Sequence, residues 1–194
     1  MMAIIVAFIL IILLGIVLIP VVNSMRKWTV TVTAITVLAI FSSIPAVRAL
    51  SGTVTEVVLS GSRVTGEIPV RIDALSGLFI LIINFTFLTG SFYGLQYMKA
   101  YRSQSSNMTL HCISLLLVQA SLVGICSLQN TIAFLTSFEI MALGSFMLVI
   151  FEHHKRATLN AGINFLIQSH VCIMFLTIGF VWVAMKTNSF DFMA

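Results

Sequence analysis

The sequence predicts an all-α membrane protein of about six transmembrane helices, with a short extracytoplasmic β-hairpin between the second and third. Three observations predict it. The 194-residue chain is 59% hydrophobic and only 8% charged, and its mean hydropathy of +1.11 is more than a soluble surface of this size tolerates. Apolar stretches close to the ~20 residues that carry a helix across ~30 Å of hydrocarbon recur along nearly the whole chain. Between the second and third of them lies a segment with strand-like alternation.

The first apolar stretch, 2–22, has no basic residue before it and no small-residue cleavage pattern after it, while Arg26 and Lys27 follow it. It therefore reads as a retained span rather than a secretory signal. The second runs over 28–47. In the segment 53–72, TVTEVVLSGSRVTGEIPVRI, Val64, Ile68, Val70 and Ile72 alternate with Arg63, Thr65, Glu67 and Arg71. Ser60-Gly61-Ser62 supplies a turn back to the β-branched run Thr53 to Leu59, so a surface hairpin is expected. Pro69 lacks a backbone donor and predicts a free edge on the second strand. Four more spans follow at 74–97, 108–127, 131–151 and 161–185. With no internal repeat or linker, residues 1–194 are expected to form a single transmembrane domain.

Basic residues set the expected orientation. Arg26, Lys27, Lys99, Arg102, Lys155 and Arg156 fall in short connections on one side, whereas Arg48, Arg63, Arg71 and Lys186 fall on the other, three of them in the long loop with Glu56, Glu67 and Asp73. Short basic loops stay inside, which predicts an inner-membrane protein with its N-terminus outside. The net charge of +4 thus reports orientation, and no basic face for nucleic acid is present. Cys112, Cys126 and Cys172 lie within spans without CxxC spacing and read as packed thiols. His153-His154-Lys155-Arg156 are adjacent at the inner end of a span, so they read as an orientation-setting cluster rather than a metal site. His111 reads as interfacial. Neither a metal nor a cofactor ligand set is visible.

Four polar residues lie deep in the spans. By helical rise Glu139 is about 13 Å from the outer surface, Asn84 about 15 Å, and Gln119 and His170 about 16 and 14 Å from the inner one. All four are therefore expected near one level. Amides such as Asn84 and Gln119 commonly serve as interhelical glue. A carboxylate costs more to bury and can release a proton, so Glu139 is expected to take part in proton transfer, with His170 as a second candidate. Ala142, Gly144 and Ser145 are expected to let a helix approach on the face toward His170.

The stretch NTIAFLTSFEIMALGSFMLVIFE, 130–152, resembles the fifth helix of the antiporter-like proton-conducting membrane subunits found in respiratory complex I, multisubunit cation/proton antiporters, and hydrogenase-4 or formate hydrogenlyase component B. VRIDALSGLFILII, 70–83, is similar to that family's third helix and AGINFLIQSHVCIMFLTIGF, 161–180, to its sixth. The resemblance implies a membrane subunit of a redox-driven proton-translocating complex, working with other membrane subunits in the lipid bilayer. It also implies that Glu139 pairs with a lysine on a broken helix. Beyond span five's loop the only lysine is Lys186, at the outer end, so the chain reads as an N-terminal portion whose partner lies in a C-terminal half of the same subunit. The competing expectation is a structural or assembly subunit without transport of its own. A membrane enzyme is disfavoured, because no nucleophile with a positioned base is visible.

Overall fold

The structure, a computed structural model, describes residues 2–61, 66–101, 105–187 and 189–192. Its elements run α1 (Met2–Val21), α2 (Ser24–Leu50), β1 (Thr55–Leu59), β2 (Ile68–Ile72), α3 (Ala74–Tyr97), α4 (Ser105–Ser127), α5 (Thr131–Val149) and α6 (Arg156–Thr187). Single turns of 3-10 helix extend α3 and α5. All six helices are long and apolar enough to cross a membrane, and the chain is a multi-pass membrane protein.

Several ends lie beyond the apolar cores read from the sequence. Helix α2 begins at Ser24 and ends at Leu50, and the 32-residue α6 is about 48 Å long, which exceeds the hydrocarbon thickness and requires tilt or projection. Caps account for two starts. The Asp73 carboxylate accepts from the Ser76 amide at 2.8 Å, and the Asn130 side-chain oxygen Oδ1 accepts from the Ile132 and Ala133 amides at 3.0 and 3.2 Å. Each satisfies donors that the first helical turn would otherwise leave orphaned.

The hairpin joins α2 to α3 as expected. Strands β1 and β2 are antiparallel, with Thr55 opposite Ile72 and Leu59 opposite Ile68. The predicted turn residue Ser62 and the alternating Arg63, Val64 and Thr65 lie outside the described residues, as does Arg102. The free edge expected at Pro69 is a correction. Its carbonyl accepts from the Gln129 amide at 2.9 Å, and Val70 bridges Leu128, so the α4–α5 connection covers that edge. The missing proline donor faces this connection, where only the carbonyl is needed. Asn130 also donates to the Glu67 carbonyl at 3.1 Å. Residues 190–192 fold back onto the same place: Thr131 N–H donates to Phe190 O at 2.8 Å and Phe192 N–H to Gln129 O at 2.9 Å.

The packed core lies among α1, α2, α3 and α4. Ile35, Leu38 and Leu116 are fully buried between α2 and α4, and Ala46, Ala49 and Ile80 pack with Ile72 of the hairpin. Helices α5 and α6 extend this core to one side. Helix α5 lies along α4, and among the described residues α6 packs chiefly against α5 and its terminal turn, with Phe180 against Phe192 of the C-terminal segment.

Candidate functional site

The buried face of α3 carries Gly77, Ile80, Asn84, Ser91 and Gly94, a spacing of three, four and seven that keeps them on one side of the helix. From this face Asn84 reaches α2, donating to Ala39 O at 3.2 Å, Ser42 Oγ at 2.8 Å and Ser43 Oγ at 2.9 Å. One turn back along the same face of α2, Gln119 is fully buried and donates to Ile35 O at 3.4 Å. The two amides thus grip α2 one turn apart. Among the described residues, their side-chain carbonyl oxygens are buried with no hydrogen-bond partner.

Glu139 and His170 meet elsewhere, across the α5–α6 contact. The carboxylate Oε1 lies 3.1 Å from the imidazole Nε2. The other ring nitrogen, Nδ1, is 2.9 Å from the Leu166 carbonyl one turn back on α6. A carbonyl only accepts, so Nδ1 carries a hydrogen. A hydrogen bond between Nε2 and Oε1 then requires one further proton, on the imidazole or on the carboxyl. In both arrangements the pair is neutral, which removes most of the penalty of placing either charge alone in hydrocarbon. Both side chains are partly exposed, at 47% for His170 and 36% for Glu139.

The four polar residues singled out in the sequence therefore form two sets, not one cluster. Packing gives their relative level. A Cβ on Gly144 would meet Val118, and one on Gly124 would meet Ser137, so Gln119 lies within about a turn of the level of Glu139 on the antiparallel neighbour. Rotation about the helix axis separates them, since Gln119 turns to α2 and Glu139 to α6.

The same packing corrects the reading of the small residues on α5. Gly144 admits α4, its ideal Cβ lying 2.7 Å from Val118 Cγ2, whereas the approach of α6 uses its own Gly162 against Ile150 and Phe146. Cys172 is exposed, so it is not the packed thiol expected. Cys112 is fully buried. Lys27 is also a correction. It lies in the first turn of α2, 5% exposed, and donates to the Thr109 hydroxyl of α4 instead of standing in a solvated loop. His111 is packed between Trp28 and Phe151, with ring centroids 5.8 and 4.8 Å away. His153 and His154 stand edge to face with centroids 6.2 Å apart. Among the described residues no three His, Cys, Asp or Glu side chains converge as a metal-binding group.

Two features escaped the sequence reading. The Lys27–Thr109 bond spans 82 positions and leaves no local signal. The amides Asn160, Asn164 and Gln168 did leave one, a spacing of four residues along α6 that places them on one stripe.

No protein-family model matches the chain. The chain is similar to hydrogenase-4 component B of Escherichia coli, 28% identical over 126 residues that make up 65% of this chain and 18% of that protein. It is also similar to the antiporter subunit mnhA2 of Staphylococcus saprophyticus, 30% identical over 89 residues, 46% of this chain and 11% of that protein. The matched stretches thus span less than a fifth of either relative. Both similarities bear out the resemblance to antiporter-like membrane subunits carried by residues 70–83, 130–152 and 161–180.

Proposed function

With similarity to hydrogenase-4 component B and to an antiporter subunit as the premise, we propose that this chain forms part of a membrane subunit of a redox-driven proton-translocating complex, and that Glu139 and His170 hold and pass a proton within it. The observation that carries this reading is the 3.1 Å approach of Oε1 to Nε2 with Nδ1 committed to the Leu166 carbonyl. Loss of the shared proton leaves a net negative pair, and gain of a second leaves a net positive one. Each of these states is costly in a low-dielectric setting unless a neighbouring charge responds. That cost couples proton occupancy to charges brought near by partner subunits or by further chain. Asn84 and Gln119 hold α2, and through α4 they fix the helix on which α5 rests. The basic residues Arg26, Lys99, Lys155 and Arg156 at the end opposite the hairpin support an inner-membrane orientation with the N-terminus outside.

The test replaces Glu139 by Gln in the assembled complex and compares proton uptake into inverted vesicles with electron transfer. A glutamine still donates a hydrogen bond to Nε2, so assembly is expected to persist while proton uptake per electron falls, because an amide cannot take up and release the proton. Unchanged uptake favours the second reading, a structural or assembly subunit, for which the tight α2–α3 and α4–α5 seams speak.

A further inference from the structure

Helix α6 is the least enclosed of the six helices: none of its most apolar 18-residue window is buried, against 44% for α2. Its packed side carries Gly162 and Ala184, which are buried, and its contacts are with α5 and the adjoining turn. On the opposite side stand Asn160, Asn164 and Gln168, all exposed. Among the described residues none of the three amides makes a side-chain hydrogen bond. Counting from the apolar start of the span at residue 161, Asn164 lies about 4 Å and Gln168 about 10 Å into the hydrocarbon by helical rise. Further along, the same side is apolar, with Phe175, Ile178 and Trp182 exposed by 59 to 66% and open space around Gly179.

An apolar face of this kind is at ease in lipid. An amide inside the hydrocarbon is not, because acyl chains offer it neither donor nor acceptor. We propose that the Asn160–Asn164–Gln168 stripe is the docking edge for a transmembrane helix from outside this chain, one with hydrogen-bonding side chains in its half away from the hairpin and an apolar half beside Trp182. The chemistry of the stripe selects this occupant. Amides both donate and accept, and a four-residue spacing along a helix presents them as a ridge that a second helix meets at matching intervals. The interface is continuous with the exposed side of Cys172, four residues beyond Gln168. It lies at a different angle around α6 from His170, so it is independent of the proton-transfer reading.

The test introduces a photo-crosslinking amino acid at position 168, and separately at 164, in the full assembly in native membranes. Mass spectrometry then identifies the attached peptide. The expected result is one transmembrane peptide, absent from this chain, with Asn, Gln, Ser, Thr or a charged residue within a turn of the attachment point. The paired substitution Asn164→Leu with Gln168→Leu, monitored by crosslinking from position 171, is expected to lower its yield about tenfold, the loss of two interhelical hydrogen bonds. The exchange Asn164→Gln with Gln168→Asn is expected to preserve it. Adducts to lipid only, adducts to a second copy of this chain, or ready labelling of cysteines at 164 and 168 by membrane-impermeant thiol reagents would each overturn the proposal. The last result would mark a water-filled cavity instead of a helix.

Discussion

Replacing Gly77 by alanine tests how the bundle is held together around the polar residues. An ideal Cβ at this position lies 2.7 Å from the Ala46 carbonyl oxygen and 3.4 Å from its carbonyl carbon and Cα. The obstacle is helix backbone, so no side-chain rotation relieves it, and the α2–α3 seam must open by roughly half an ångström to restore van der Waals contact. Overpacking of that kind costs about 1–3 kcal/mol. Asn84 sits two turns along the same face, and the three bonds it makes to α2 lengthen with the seam. The amide has two hydrogens to share among these acceptors, so at ~0.6 kcal/mol for each in a membrane protein the total loss reaches about 2–4 kcal/mol. Gly90 on the same helix has open space around its Cβ position, and alanine there is expected to be neutral or stabilising by up to about 1 kcal/mol through helix propensity. Reversible unfolding in mixed detergent–lipid bicelles, followed by helicity, measures both variants. Equal effects at the two glycines, or a Gly77→Ala protein as stable as the parent, would refute the reasoning.

Asn130→Ala removes the α5 cap together with the Asn130–Glu67 link to the hairpin, and is expected to lower stability by about 1–2 kcal/mol in the same assay. At Asp73, the hydrogen bond from the Ser76 amide holds the carboxyl below its ordinary value of 3.8. A depressed folded-state pKa means that this cap stabilises fully above about pH 4 and is lost as pH falls through the folded value, so Asp73→Asn should flatten the acid limb of the stability curve. Among the cysteines, the exposed Cys172 is expected to react with a lipid-soluble maleimide far faster than the fully buried Cys112, read by mass shift of the intact protein.

Much of the fold was legible because bilayer thickness and strand alternation are one-dimensional signals. Hydropathy located all six spans, and the β-branched run ending at Leu59, with the alternation through Ile72, located the hairpin. What one dimension does not carry is rotation about each helix axis. Helical rise put Asn84, Gln119, Glu139 and His170 near one depth, yet the first two turn to α2 while the last two meet across α5 and α6. For the same reason depth alone does not tell that Gly144 faces α4 rather than α6, or that Cys172 is exposed. Lys27 was assigned to a loop because charge alone suggests water. Its burial depends on Thr109, which only the packing of α2 on α4 brings close. The covered edge at Pro69 likewise depends on Gln129, sixty residues away in sequence.

The central claim is that one proton resides between Glu139 and His170 and moves during turnover. Infrared difference spectroscopy of the assembled complex, driven between resting and turnover states, observes that proton through the stretching band of a protonated carboxyl group. The account predicts a band that changes on turnover, disappears in Glu139→Gln and shifts in frequency in His170→Gln. A carboxyl signal unaltered by both substitutions would contradict it.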